Sequence, residues 1–106
     1  MRCAGITCIA YFFGGAFWVN AIPHFTNGVS GGAFPSPFAS LPGQGESSAI
    51  VNVAWGAFNL LIGYLLTRHV GQFRLRGTRE VAMSSLGGLI MALMLARALG
   101  QIYGGT

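Results

Sequence analysis

The stretch that settles the fold is residues 48–67, SAIVNVAWGAFNLLIGYLLT. It contains no charged residue, and a helix of its length covers about 30 Å, one hydrocarbon thickness. Ser47 or Ser48 can cap its start, where Glu46 complements the positive end of the helix dipole. Arg68 and His69 complement the other end.

Two more apolar blocks flank it, at residues 4–22 and 81–103. The 106-residue chain is 53% hydrophobic and 8% charged, against about 25% charged in soluble domains. So few charges cannot cover a water-soluble fold of this size. The expectation is a single all-α transmembrane domain, 1–106, with three spanning helices. Pro23 should stop the first, because the residue before a proline disfavours helical backbone. Arg2 and the run Val19, Asn20, Ala21 also fit a cleaved leader, but the block's near-spanning length favours a membrane helix. The third block is rich in Leu, Met and Ala and ends at Gly104 and Gly105, with Thr78 as a plausible N-cap and Glu80 in its first turn.

Between the first two blocks, residues 23–47 hold all four prolines (Pro23, Pro35, Pro37, Pro42) and many glycines. No regular helix is expected there. Phe25, Phe34, Phe38 and Leu41 are spaced through this long segment, so it should fold back on the membrane surface or on a neighbour.

Orientation follows from arginine. All six basic residues are arginines, and Arg68, Arg74, Arg76 and Arg79 fall in or beside the connector 68–80. Such clustering between apolar blocks reads as a topology signal, not a nucleic-acid surface, with attraction to anionic headgroups as a weaker reading. Arg2 and the connector lie on one side of a three-span topology, and the long loop carries no Lys or Arg. The expected arrangement is a cytoplasmic N-terminus and connector, with the proline loop and C-terminus outside, in a bacterial inner membrane.

Two stripes of small or polar residues suggest packing faces. Asn52, Gly56, Asn59 and Gly63 share one face of the second helix; Ser84, Gly88, Ala92, Ala96 and Gly100 repeat every four residues on the third. Small faces let membrane helices approach closely, and an amide in lipid needs a partner. Three helices cannot bury both stripes among themselves, so one should meet another chain. Arg97, the one charge inside a block, lies about 24 Å along its helix from Val81, where it can snorkel to headgroups or pair with Glu46.

Chemistry is sparse. His24, in the run Asn20 to Phe25, could ligate a metal, haem or chlorin, but His69 lies on the opposite side, and Asn20, Asn27 and Glu46 make a poor ligand set. Hydrogen bonding that pins the loop to the first helix is the simpler role. Cys3 and Cys8 would sit about 140° apart on a helix and are expected as reduced packing residues. The two acids, Glu46 and Glu80, fall on opposite sides, and no nucleotide-binding loop or hydrolase motif occurs. The expectation is no enzyme and no cofactor.

The pattern P-H-F-x-x-G-x-x-G-x-x-F-P-x-P-F-A at residues 23–39, followed by Asn52, Val53, Trp55, Gly56 and Asn59, resembles that of uncharacterised small bacterial integral membrane proteins. The resemblance spans about a third of the chain and implies a bacterial membrane origin without catalytic residues. The leading functional expectation is an accessory or structural subunit of a larger membrane complex, energy-transducing ones (respiratory or photosynthetic) included, with lipid and other membrane chains as partners. The alternatives are a homo-oligomeric channel or carrier lined by Asn52 and Asn59, and a cofactor protein using His24.

Overall fold

The computed structural model describes residues 5–39, 45–71 and 77–104. Helix α1 spans Ile6–Val29, strand β1 Phe34–Pro35, strand β2 Glu46–Ser47, helix α2 Ala49–Tyr64 and helix α3 Thr78–Tyr103; a π-helical segment, Leu65–Val70, extends α2. Three helices, Ile6–Val29, Ala49–Val70 and Thr78–Tyr103, are long and apolar enough to cross a membrane. The chain is a multi-pass membrane protein of all-α type.

The first helix does not stop at Pro23. It carries the proline inside and runs on to Val29. Proline removes one ladder hydrogen bond, but abandoning the helix in hydrocarbon would strand several backbone groups, so continuing costs less. Beyond the proline two side chains bond back onto the helix: Thr26 Oγ1 donates to the Ile22 carbonyl at 2.6 Å and Asn27 Nδ2 to the Pro23 carbonyl at 2.8 Å. The chain then leaves the helix through Gly31, whose φ of 80° suits glycine.

The loop is correspondingly shorter than expected. It folds back on its own helices, with Phe34, Pro35 and Ser36 buried. The two short strands pair antiparallel, Phe34 with Ser47 and Pro35 with Glu46, and the Ser36 and Ser47 hydroxyls lie 2.5 Å apart. Ser47 is thereby spent on the loop, and Ser48 caps α2 by accepting from the Val51 N–H at 3.2 Å.

Helix α1 is the centre of the bundle. It packs against both α2 and α3, which barely touch each other. Glycine makes both approaches possible. Toward α2, a β-carbon on Gly28 would stand 2.8 Å from the Ala49 carbonyl, and one on Gly63 would stand 2.8 Å from the Trp18 ring. Toward α3, β-carbons on Gly15 and Gly87 would overlap the backbones of Ser84 and Phe12. Lipid tails compete equally for apolar side chains, so such close contact and the hydrogen bonds it permits hold membrane helices together.

At the connector end, Tyr11 is fully buried and its hydroxyl donates to the Gly71 carbonyl. The π-helical segment just before it is loosened where Thr67 Oγ1 donates back to the Gly63 carbonyl at 2.8 Å. Helix α3 starts three residues earlier than expected, with Gly77 rather than Thr78 as N-cap. The buried Glu80 carboxylate folds back over Gly77 into space a β-carbon would fill, as the acidic residue of a capping box does. Cys8 is disulfide-bonded, which corrects the expectation of reduced thiols. The angular argument assumed both cysteines on one helix; Cys3 lies outside the described residues.

Candidate functional site

The polar chemistry of the chain collects at the loop end of the bundle, where the last turns of α1 meet the start of α2, the β-pair and the end of α3. His24 of α1 and Asn52 of α2 are 5% and 0% exposed. His24 Nδ1 lies 2.8 Å from Asn52 Oδ1. The Asn52 amide nitrogen donates to the carbonyls of Phe34 at 2.9 Å, Ser47 at 3.2 Å and Ser48 at 3.1 Å. One amide thus ties the loop and the start of α2 to the imidazole of α1. The pinning role expected of His24 is met through Asn52 as intermediary.

This network assigns the imidazole tautomer. With its nitrogen facing three carbonyls, Asn52 presents oxygen to His24, and an oxygen can only accept. Nδ1 therefore carries the proton, and Nε2 keeps its lone pair.

A second amide pair lies one turn deeper. Asn20 Nδ2 donates to Asn59 Oδ1 at 2.9 Å, and Asn59 Nδ2 donates to the Trp55 carbonyl at 2.8 Å. Asn20 and His24 stand four residues apart on α1 and so share a face. Aromatic rings close the cluster: Phe34 and Trp55 meet the His24 ring edge-on at 5.4 and 6.4 Å. Tyr103 stacks on Phe34 at 6.4 Å while its hydroxyl donates to Glu46 at 2.5 Å. Beside His24 a cleft of about 350 Å³ opens between the loop, α1, α2 and α3, with Asn20, Phe34, Trp55, Leu95 and Leu99 in its walls. A second cavity of about 320 Å³ continues along α1 from Asn20 and Trp55 toward Phe12, between Asn59 on α2 and Met91 and Met94 on α3.

The packing stripes divide. On α2, Asn52, Gly56, Asn59 and Gly63 are the four buried residues of the helix, all turned toward α1. Asn59, like Asn52, is 0% exposed, and both amides are bonded within the chain. On α3, Ser84 Oγ donates to the Tyr11 carbonyl at 3.1 Å and Gly88 lies against Val19, whereas Ala92 and Ala96 are exposed and Gly100 is half-buried. The cause is phase: a four-residue repeat gains about 40° on the helix at each step, so the stripe walks off the α1 face after Gly88.

The described arginines lie outside the cluster. Arg68 and Arg79 are exposed at the connector end; Arg74 and Arg76 lie outside the described residues. Arg97 is exposed on α3, and Glu46, the acid considered as its partner, accepts from Tyr103 instead. Among the described residues no three His, Cys, Asp or Glu side chains come together as a metal site. Sequence reasoning passed over Tyr11 and the glycines of α1, Gly14, Gly15 and Gly28. For Gly14 and Gly15 the signal was available in the glycine content of a block meant for lipid, which is useful only where another backbone comes close; Gly28 fell in the segment expected to be loop. Searches against protein-family models, curated proteins and solved structures return no match to this chain.

Proposed function

We propose that the chain is a structural subunit of a larger membrane assembly, docking through the outward side of α3. The observation that carries this reading is the exposure of Ala92 and Ala96 on a helix whose spanning window is 11% buried, against 39% for α1. Small side chains give lipid little to pack against, but they let a second helix approach closely. The rest of the molecule supports a scaffold: the α2 stripe is consumed within the chain, and the loop is tied down by Asn52. The proposed setting is a bacterial inner membrane with the connector end, carrying Arg68 and Arg79, in the cytoplasm. Respiratory and photosynthetic complexes are among the hosts this reading admits.

Native mass spectrometry of the gently extracted protein tests the proposal. A fixed ratio with unrelated membrane chains is the expected result. A symmetric ring of this chain alone, or a solitary monomer, overturns it.

A further inference from the structure

We infer that the groove beside His24 binds a lipid-soluble hydroquinone, a flat aromatic head with hydroxyl donors and an apolar tail, with His24 Nε2 and Asn20 Oδ1 as acceptors. This inference does not depend on the docking of α3. His24 Nδ1–H is committed to Asn52, and among the described residues Nε2 has no partner. No buried side-chain nitrogen or oxygen among the described residues lacks a partner, so Nε2 is open to the cleft that His24 lines. Asn20 repeats the arrangement: its nitrogen donates to Asn59, which leaves its oxygen as the acceptor on a cleft wall. Two acceptors on one face of a helix, within a spanning segment, call for donors that arrive with the ligand.

The surroundings define the rest of the ligand. The rings of Phe34 and Trp55 frame the imidazole edge-on and suit a flat head. The adjoining cavity shares Asn20 and Trp55 with the first and continues between Phe17, Met91 and Met94, a path for an apolar tail. A cationic amine would find no free acid, because the nearby Glu46 is engaged by Tyr103. An ionised fatty acid would offer no donor to either acceptor.

The test uses calorimetry on the whole protein in phosphatidylcholine nanodiscs. The probes are decyl-benzohydroquinone, its dimethyl ether, which has the same ring and tail without donors, and dioleoylglycerol, a hydroxyl lipid without a ring. Saturable binding of the hydroquinone is expected, with the ether about tenfold weaker or worse and dioleoylglycerol weaker than the hydroquinone. Leu95→Trp, which fills the cleft and leaves the His24–Asn52 pair in place, should abolish binding. Equal affinity for hydroquinone and ether, preference for dioleoylglycerol, or unchanged binding in L95W each overturns the inference. Should L95W fail to fold, the comparison of hydroquinone with ether on the natural chain still decides.

Discussion

Gly56 of α2 lies flush against Phe25 of α1: a β-carbon at position 56 would stand 2.8 Å from both the backbone nitrogen and the β-carbon of Phe25. The contact lies beyond Pro23, on the part of α1 that the proline was expected to remove. Continuation of α1 through Pro23 and burial of the α2 stripe are therefore one event, since without residues 24–29 in the helix Gly56 would face nothing. Gly56→Ala should destabilise the α1–α2 contact by about 1–3 kcal/mol, the usual cost of forcing extra volume into a packed site. Unfolding in mixed micelles measures it. An unchanged midpoint would mean that the helices separate freely at this level.

Asn52 serves the loop and the bundle together, whereas Asn59 serves the bundle alone. Asn52→Leu removes the donor from the carbonyls of Phe34, Ser47 and Ser48 and the acceptor from His24. A stranded buried group costs about 1–3 kcal/mol, so the loop should detach before the helices part. Limited proteolysis should show cleavage between α1 and α2 at least tenfold faster in N52L. Asn59→Leu, whose partners are Asn20 and the Trp55 carbonyl, should leave that rate near the natural value. Equal acceleration in both variants would show that loop and bundle unfold as one unit.

The two halves of the α3 stripe should respond differently to added bulk. Gly88 rests against Val19, where a β-carbon would already stand 2.9 Å from the valine methyl, so Gly88→Leu should disrupt the α1–α3 contact and lower stability. Ala96 is exposed. Ala96→Leu should leave the unfolding midpoint unchanged and release any partner docked on this side. Co-purification and thermal unfolding of both variants separate the two effects. Loss of partner in G88L with retention in A96L would move the docking face elsewhere.

The membrane class and the three spans were legible from hydropathy, because a run such as residues 48–67 has only one stable solution in lipid. The α2 stripe was equally legible, since 52, 56, 59 and 63 stay in phase with the helix and all four are buried. The α3 stripe is split by its own period: a strict repeat of four drifts round the helix, so Ser84 and Gly88 reach α1 whereas Ala92 and Ala96 are exposed. Pro23 misled because the rule for the residue before proline weighs local sterics, whereas the outcome turned on the cost of stranding backbone groups in hydrocarbon. The His24–Asn52 pair was not legible. Their 28-residue separation is bridged by a loop whose path rests on contacts no local pattern encodes, Ser36 with Ser47 and Phe34 with Tyr103.

Orientation brings two physical signals into opposition, and one measurement separates them. By the positive-inside rule, Arg68 and Arg79 would put the connector end in the cytoplasm. Cys8, near the start of α1 at that same end, is disulfide-bonded, a state that the reducing cytoplasm disfavours. If the arginines govern, Cys8 is reduced in living cells and oxidises after extraction. A membrane-permeant maleimide should then label the thiol in intact cells, and an impermeant one should not until the membrane is opened. Moving the charges of Arg74, Arg76 and Arg79 into the loop between α1 and α2 should invert this labelling pattern. A natural chain whose Cys8 is already oxidised in intact cells, and turns reactive to the impermeant reagent only after reduction from outside, would place the N-terminal end of α1 on the external face and remove the arginines as the determinant.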